Sequence, residues 1–304
     1  MKNNDGMRFF DLSDRAKIEV AGPDAREFLT NLCTQDVKNL PVGETREAFL
    51  TTNKARVIAH VWIFHRESNF LLLDLAAGQG EKVMQHLNHY LISERAEVTD
   101  RTRELSLVRL VGSDTAVLER AAALVPLGQA RRLAPEALAI DGIDLFCAAD
   151  EFGPLKQRLI DLGAFESDSA TYRVICMEAG LPEFGIDIDE ARFAVEVNRT
   201  KQAICYTKGC YLGQETIVMA RDRGQVNRLL MGVTIAEGEA LASGTKLFRA
   251  GDEVGHITSS VFSPRLGQVI ALAYLRRGNW DPDTQLIADG RTAIVRTLPF
   301  NAAP

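Results

Sequence analysis

The stretch that decides the predicted fold of this 304-residue chain is Lys208-Gly209-Cys210-Tyr211-Leu212-Gly213-Gln214-Glu215. It combines a cation, a thiol, a carboxylate, an amide and two glycines, and most of these polar groups would need hydrogen-bond partners if they were buried. Lys208 lies two residues before Cys210 and would favour the thiolate, which is the reactive form of cysteine. Gly209 and Gly213 permit backbone conformations or close approaches that a side chain would obstruct.

The residues that follow Cys210 predict a helix over 214–222, with Glu215 in its first turn. Cys210 would then precede a helix N-terminus, whose partial positive charge lowers the pKa of a thiol further. From the residues alone, a surface turn with an incidental cysteine explains the stretch equally well. The order of the residues favours the reactive thiol, because Lys-Gly-Cys-Tyr-x-Gly-Gln-Glu resembles the signature of the YgfZ-type folate-binding proteins.

The YgfZ-type proteins are relatives of the glycine-cleavage T-protein, an aminomethyltransferase, and are associated with iron–sulfur cluster assembly or repair. Three further segments of the chain resemble the T-protein superfamily, in the same order. Residues 22–37 resemble its opening helix, residues 178–187 its middle segment, and residues 255–276 its C-terminal barrel. Only the eight-residue signature separates the YgfZ branch from its relatives.

Strand pairs alternate with single helices over most of the chain, which predicts an α+β fold with helices packed on antiparallel or mixed sheets. After Asn227, short strand-like segments between Gly-rich turns predict a small β-barrel or sandwich. We therefore place a folate-binding region at 1–226 and a C-terminal β-barrel domain at 227–304. The resemblance implies that the first region contains two T-protein-like modules interleaved in sequence, around a central folate-binding channel.

Two local predictions are specific enough for direct comparison with the structure. Residues 138–148 are expected to form a hairpin around Asp141-Gly142, since this dipeptide is typical of tight turns between strands. Cys205 lies among apolar neighbours at 203–206 that have the character of a strand, so we expect its thiol to be packed rather than paired with Cys210.

Composition excludes several classes of protein. Charged residues make up 25% of the chain and apolar residues 46%, which is ordinary for a globular protein. The net charge of −6 argues against a broadly basic surface for nucleic acid. Five scattered cysteines lack the spacing of a disulfide framework or a zinc finger. The N-terminus lacks the features of a secretory signal, and no apolar run approaches the roughly 20 residues that span a bilayer. We therefore expect a cytoplasmic protein without direct contacts to nucleic acid or membrane.

Cys210 and Lys208 are the predicted reactive pair. Cys210 could attack a substrate, carry sulfur, accept a transferred group or contact an iron–sulfur cluster during transfer. A permanent cluster usually takes four cysteines, so no resident metal site is expected. Three neighbours are predicted to contact the ligand or to shape the loop: Tyr211 by stacking or by filling the core, and Gln214 and Glu215 by ligand contact or helix capping.

The resemblance adds two residues to the predicted folate site. Glu178 matches a glutamate that hydrogen-bonds the pterin ring in the superfamily, and a carboxylate suits the paired N–H donors of an amino-pyrimidine edge. The usual arginine two residues earlier is replaced by Cys176, with Arg173 further upstream. Arg223 follows the signature as in the family and would suit the glutamate tail of folate. The implied cofactor is tetrahydrofolate or a derivative.

The main functional hypothesis is a folate-binding accessory protein that supports iron–sulfur cluster assembly or repair, with Cys210 as its reactive group. Its partners would be folate and iron–sulfur enzymes or cluster-assembly proteins, and effects on tRNA modification would be indirect. The alternative is a tetrahydrofolate-dependent aminomethyltransferase. That reaction relies on an aspartate in an acidic hairpin segment, whereas residues 65–70 contain no paired aspartates and Asp74 lies in a strand-like run. Whether the chain is an enzyme therefore stays open.

A third hypothesis is an accessory domain of a folate-linked demethylase or oxidase, because the superfamily fold is reused in such enzymes. The chain has no flavin or dinucleotide fingerprint, so a separate partner would have to supply that cofactor. A scaffold without catalytic activity that uses the same channel is a variant of the main hypothesis.

Overall fold

A computed structural model describes residues 6–133, 138–224, 226–236 and 238–300, without the side chain of Arg223. Ten strands come first: β1 (Arg8–Asp11), β2 (Ala16–Ala21), β3 (Thr45–Thr51), β4 (Val57–Glu67), β5 (Phe70–Leu75), β6 (Glu97–Asp100), β7 (Leu105–Val111), β8 (Ala130–Arg132), β9 (Gly142–Ala148) and β10 (Phe165–Glu166). Six more follow: β11 (Arg228–Ile235), β12 (Lys246–Arg249), β13 (Asp252–Ser263), β14 (Gln268–Arg276), β15 (Gln285–Ala288) and β16 (Arg291–Arg296).

The α-helices among the described residues are α1 (Ala25–Leu32), α2 (Gly80–Tyr90), α3 (Thr115–Ala122), α4 (Phe152–Asp161), α5 (Ser169–Glu178), α6 (Thr200–Ala203) and α7 (Gln214–Arg223). Aspartates begin two of them, because the side chains of Asp114 and Asp168 accept hydrogen bonds from backbone amides in the first turns of α3 and α5. No helix in the described ranges is both long and apolar enough to cross a membrane.

The first two modules are two five-stranded sheets whose strands are interleaved along the chain. The first sheet has the order β10-β1-β7-β9-β8, and the second has the order β3-β4-β5-β2-β6. The chain begins in the first sheet with β1, builds the whole second sheet and returns with β7. The second sheet is antiparallel, whereas β1 and β10 make the first sheet mixed. The α+β class and the interleaving predicted from the sequence are confirmed.

Each sheet has helices on one face and the other sheet on the opposite face. Helices α1 and α2 pack on the second sheet, and α3 and α4 pack on the first. Strand β4 shows how the sequence achieves this, since alternate side chains of a strand point to opposite faces. Ala59 and Val61 face the helices, while Trp62 and Phe64 join the core between the sheets.

A buried network of ion pairs crosses the space between the two sheets. Asp144 on β9 accepts hydrogen bonds from Arg109 on β7 (Nε to Oδ1, 2.7 Å) and from Arg131 on β8 (Nε to Oδ2, 2.9 Å). Arg131 also donates to Asp74 on β5 of the second sheet (2.6 Å), which in turn accepts from Arg15 (2.5 Å). The network therefore joins both sheets through charged groups, of which Arg109, Arg131, Asp74 and Asp144 are buried and Arg15 is partly exposed.

The C-terminal module is a closed six-stranded barrel of order β11-β14-β13-β12-β15-β16. Its interior is filled by alternate residues of the strands, such as Val233 and Ile235 of β11. Leu230 of the same strand points outwards and packs with Met177 of α5 and with Phe300. The predicted C-terminal barrel is confirmed, and its outer surface holds α5 against it.

Two local predictions are wrong. Residues 138–148 do not form a hairpin, because β9 begins at Gly142 and pairs with β8 and β7 rather than with the residues just before it. Cys205 does not lie in a strand: α6 ends at Ala203, and Cys205 follows in an irregular segment with its side chain half-exposed. Strand β9 pairs with β7 and β8, and the amide of Cys205 donates to the carbonyl of Thr34, so contacts outside each segment override its local pattern.

Candidate functional site

Residues 208–215, called the signature loop below, are fixed to the C-terminal end of α1 by Lys208. The ammonium group of Lys208 donates hydrogen bonds to the backbone carbonyls of Thr30, Cys33 (2.8 Å) and Gln35 (2.9 Å). The end of a helix leaves such carbonyls without partners, and a cation there also interacts favourably with the helix dipole. Burial lowers the pKa of Lys208. Lys208 therefore anchors the loop, and its predicted effect on the thiol of Cys210 stays a prediction.

The signature loop is also tied down where it enters α7. The amide of Leu212 donates to the carbonyl of Asn31 (2.9 Å), and the hydroxyl of Thr51 donates to the carbonyl of Leu212 (2.8 Å). Gly213, the residue before α7, has a left-handed conformation with φ 85°. A Cβ at this position would lie 2.7 Å from the carbonyl oxygen of Thr52. Both its φ and the close approach therefore require glycine, as the sequence predicted.

Replacing Gly213 with alanine is expected to lower the free energy of unfolding by about 1–3 kcal/mol, because the new Cβ would clash with Thr52 and would strain the positive φ. Gly209 is the matched control, since its φ is not positive and a Cβ there has no neighbour within 4 Å. Within this chain no neighbour approaches Gly209 closely, and a close approach by a second molecule stays a prediction. Urea unfolding of both variants measures the difference, and equal losses of stability would contradict this account.

Cys210 is exposed on the signature loop, whereas Cys33, Cys147 and Cys176 are buried and Cys205 is half-exposed. Burial raises the pKa of Cys33 and Cys176, and it raises the pKa of Cys147 to about 11. Because a thiol reacts as the thiolate, the buried cysteines are poor nucleophiles. Within the described ranges, no group of three or more His, Cys, Asp and Glu side chains could hold a metal ion. Cys210 is the cysteine most open to a second molecule.

The other predicted residues of this region lie in or beside α7. The helix predicted over 214–222 is confirmed, with Glu215 exposed in its first turn and Gln214 at its first position. Tyr211 is 7% exposed and packs in an apolar cluster, where its hydroxyl has no described hydrogen-bond partner. Arg223 ends α7, and its side chain lies outside the described residues. Their contact with folate stays a prediction.

A cavity of about 480 Å³, called the central cavity below, lies between the two sheets and α5. Aromatic residues from each wall line it: Phe10 from the first sheet, Trp62 from the second, Tyr172 from α5 and Phe184 from the segment after α5. Cavities of about 300–1,000 Å³ are typical of small-molecule and cofactor sites. Its flat aromatic walls would suit a planar ring. Tyr211, Gln214 and Glu215 are not among the residues that line it.

His60 on β4 brings an imidazole ring into the central cavity. Its Nε2 lies 2.8 Å from Oε1 of Glu47, and Arg199 donates to both carboxylate oxygens of Glu47 (Nε to Oε1, 2.8 Å). All three side chains are buried. Burial favours the protonated acid, but Arg199 and His60 outweigh it and lower the pKa of Glu47 to about 2. Glu47 is therefore a carboxylate at physiological pH.

Arg173 connects the central cavity to the barrel. Its Nη2 donates to Asp187 (2.7 Å) and to Ser259 on β13 (2.8 Å), and Asp187 also accepts from Thr258 (2.5 Å). Arg15, in the segment between β1 and β2, also lines the cavity, and its Nε donates to Asp74 of the ion-pair network. The two guanidinium groups give the cavity cationic N–H donors on two of its walls.

Glu178, the predicted ligand of a pterin ring, is turned towards the barrel instead of the central cavity. Its carboxylate accepts hydrogen bonds from Oγ of Ser263 (2.5 Å) and Nε of Arg265 (2.6 Å). Arg173 and Cys176, which are three residues apart, share the face of α5 that lines the cavity, whereas Glu178 lies on another face. Contact between Glu178 and folate therefore stays a prediction, and it would require the pairs with the barrel to rearrange.

Strand β3 connects the central cavity to the signature loop. Glu47 at one part of the strand holds His60 at the cavity wall, and Thr51 at its end holds the loop. Thr34, just after α1, contributes as well. Its amide donates to the carbonyl of Phe49 on β3, its hydroxyl donates to the carbonyl of Ala203 (2.6 Å), and its own carbonyl accepts from the amide of Cys205 (2.8 Å). Hydrogen bonds to the same strand therefore connect the thiol-bearing loop with the cavity wall.

Sequence reasoning did not identify His60, Arg15 or Glu47 as site residues. The alternation along β4 carried a usable signal, since His60 and Trp62 share the face of the strand that carries no helices. A titratable residue on a buried strand usually has a partner, which points to a carboxylate on an adjacent strand. For Arg15 we find no comparable signal, because its partners lie more than 50 residues away.

Comparison with known families agrees with this architecture. The family model described as "GCVT N-terminal domain" matches residues 3–129, and the one described as "Glycine cleavage T-protein C-terminal barrel domain" matches residues 228–299. The chain therefore contains both domains that these two models describe, in the same order. A crystal structure of glycine cleavage system aminomethyltransferase T from Bartonella henselae has the same fold, with a TM-score of 0.86 over 98% of this chain and 87% of that one, at 20% identity.

Two curated relatives extend the similarity over nearly the whole chain. An aminomethyltransferase from Rubrobacter xylanophilus is 28% identical over 309 residues, covering 96% of this chain and 80% of the relative. An aminomethyltransferase from Thermus thermophilus is 27% identical over 314 residues, covering 96% of this chain and 86% of the relative. These similarities support the superfamily; the YgfZ branch indicated by the signature loop is a finer distinction than they make.

Proposed function

We propose that this chain binds folate and supports iron–sulfur enzymes through the thiol of Cys210. The observation that carries the proposal is the exposed Cys210 on a loop that Lys208 fixes to α1 and Thr51 fixes to β3. An exposed thiol on a loop that is held by these hydrogen bonds can reach a cluster or a sulfur atom on a second protein without a change of fold. Effects on tRNA modification would then pass through cluster-containing enzymes and need no contact with RNA.

The central cavity is the proposed site of tetrahydrofolate or a derivative. Its volume of about 480 Å³ fits a ring system of that size, and Phe10, Trp62 and Phe184 provide apolar surfaces for a pterin. Arg173 and His60 supply polar groups to orient the ring edge. When bound, a reduced folate supplies a nitrogen carrier for one-carbon units.

A second candidate is a tetrahydrofolate-dependent aminomethyltransferase, which the names of the relatives favour. The site itself gives this activity little support. Asp74 is fully buried and accepts hydrogen bonds from Arg15 and Arg131. Burial favours its protonated form, but the arginines outweigh this and hold the pKa of Asp74 well below its usual range. Asp74 is therefore a poor proton acceptor for a bound folate.

The test is complementation of a strain that lacks its own protein of this type, with the activity of iron–sulfur enzymes as the readout. We expect Cys210→Ser to lose nearly all rescue, because serine cannot supply a thiolate. Cys205→Ser is the matched control, since it changes the other accessible thiol of the same segment. Tetrahydrofolate binding by each purified protein should be unchanged, because neither residue lines the central cavity.

Full rescue by the Cys210→Ser protein at matched expression would overturn the proposed role of the thiol. The second candidate is tested separately, by incubating the purified protein with an aminomethylated lipoyl carrier and tetrahydrofolate and measuring ammonia release. Turnover that is equal in wild type and in the Cys210→Ser variant would favour aminomethyl transfer over the main proposal.

A further inference from the structure

His60 places a hydrogen-bond acceptor inside the central cavity. Its Nε2 faces Glu47, and a carboxylate has only acceptor oxygens, so Nε2 must carry a proton to bond to it. Arg199 holds Glu47 in place with two hydrogen bonds, which fixes the orientation of the imidazole ring. In the neutral ring, Nδ1 is then the unprotonated nitrogen.

His60 lines the central cavity and its Nε2 is bonded to Glu47, which leaves Nδ1 as the ring nitrogen available to a ligand there. Nδ1 has no hydrogen-bond partner among the described residues, and it is not one of the enclosed polar atoms that lack a partner. The acidic residues that line the cavity, Asp11, Asp14 and Glu183, are exposed at its surface, and Arg15 and Arg173 offer only N–H donors. His60 thus provides the cavity with a nitrogen acceptor whose ring is held in place by Glu47.

We propose that Nδ1 of His60 accepts a hydrogen bond from a ring N–H of a reduced pterin and so selects reduced over oxidised folate. This inference rests on the proposed binding of folate in the central cavity. In folic acid the pteridine nitrogens N5 and N8 carry no hydrogen and are acceptors. In 7,8-dihydrofolate N8 carries a hydrogen, and in tetrahydrofolate both N5 and N8 do. In an oxidised pterin, the ring nitrogen that faces Nδ1 would carry a lone pair instead of a hydrogen, so the two lone pairs would repel each other. Nδ1 would then be buried without a hydrogen-bond partner, and the oxidised ligand would bind more weakly.

The experiment compares the dissociation constants of folic acid, 7,8-dihydrofolate and tetrahydrofolate for the wild type and for His60→Phe, by anaerobic titration calorimetry. Phenylalanine keeps a flat ring but has no acceptor. We expect the preference of the wild type for tetrahydrofolate over folic acid to fall by about fivefold to tenfold in the variant, the worth of one hydrogen bond. His65→Phe is the matched control, because His65 lies on the same strand but does not line the cavity.

The effect of His60→Phe on the dissociation constant of 7,8-dihydrofolate shows which ring nitrogen donates. An effect equal to that on tetrahydrofolate indicates that N8–H donates, and an effect equal to that on folic acid indicates that N5–H donates. An equal loss for all three ligands, or no loss, would overturn the inference. If the wild type binds none of them, the proposed folate function itself fails. Nitrogen-15 spectra of the wild-type histidines provide a second readout, in which we expect the Nε2–H tautomer of His60 and a shift of Nδ1 on addition of tetrahydrofolate. A protonated Nδ1 in the free protein at neutral pH would also overturn the inference.

Discussion

Replacing Asp144 with asparagine is expected to lower the free energy of unfolding by about 3–5 kcal/mol, because the change leaves buried guanidinium groups without their carboxylate. Asp144 is fully buried and binds Arg109 and Arg131, each of which is at most 2% exposed. Asparagine keeps the shape of the side chain but removes its charge and one acceptor. Arg131 would keep Asp74 as its carboxylate partner but lose the charge of Asp144, and the contact between the two sheets would weaken. Urea unfolding at pH 7 measures the loss.

The effect of this substitution should depend on pH in a defined direction. Burial favours the protonated form of Asp144, but Arg109 and Arg131 outweigh it and hold the pKa of this carboxyl below its ordinary value. A carboxyl with a lowered pKa in the folded state stabilises the fold above its unfolded-state pKa, and this contribution is lost as the pH falls through the folded-state pKa. The gap in stability between wild type and variant should therefore be constant from pH 7 to about 5 and narrow below about 4.

Glu119→Gln is the control for the Asp144 substitution. Glu119 lies 3.5 Å from Arg132 in a pair whose side chains are 70% and 61% exposed. Exposed pairs contribute little, so the control should change the free energy of unfolding by less than about 0.5 kcal/mol. Equal losses in the two variants would show that the network between the sheets does not stabilise the fold as argued.

The fold was predictable from local patterns wherever burial follows a regular period. Residues 105–111 show little alternation between apolar and polar side chains, and they form the central strand β7 of the first sheet. The apolar residues at helical spacing up to Leu32 form α1, whose buried face packs on the second sheet. The ion-pair network was not predictable, because Arg15, Asp74 and Asp144 come from three distant segments. The residues next to a charged side chain in a strand do not indicate which distant residue of opposite charge will pair with it.

The candidate site was also predicted only in part, because some of its contacts join residues that are distant in sequence. The signature identified Cys210 and the glycine at 213, whose properties depend on the backbone around them. Lys208 was expected to act on the thiol two residues away, yet its partners are Thr30, Cys33 and Gln35. Proximity in sequence indicates an interaction only where the backbone brings the two side chains together, and an ammonium on a long chain binds the nearest unpaired carbonyls.

Lys208→Met is expected to lower the free energy of unfolding by about 2–4 kcal/mol, because three carbonyl oxygens would lose a charged donor in a half-buried place. The loss is smaller than the sum of three charged hydrogen bonds, since burying the ammonium has a cost of its own. The contacts between the C-terminal end of α1 and the signature loop should also open more often. Hydrogen exchange of the Leu212 amide, which donates to Asn31, should therefore accelerate more than that of the barrel strands.

Lys201→Met provides the matched control, because Lys201 is exposed and has no side-chain hydrogen bond within the described ranges. It should leave both stability and exchange nearly unchanged. The alkylation rate of Cys210 by iodoacetamide separates the two roles considered for Lys208. If Lys208→Met slows alkylation at neutral pH while stability and exchange match the wild type, then the lysine serves the thiolate, as first expected, and the anchoring role is wrong. If stability falls and the loop amide exchanges faster, the lysine fixes the loop that presents Cys210, and its effect on the thiol follows from position rather than from charge.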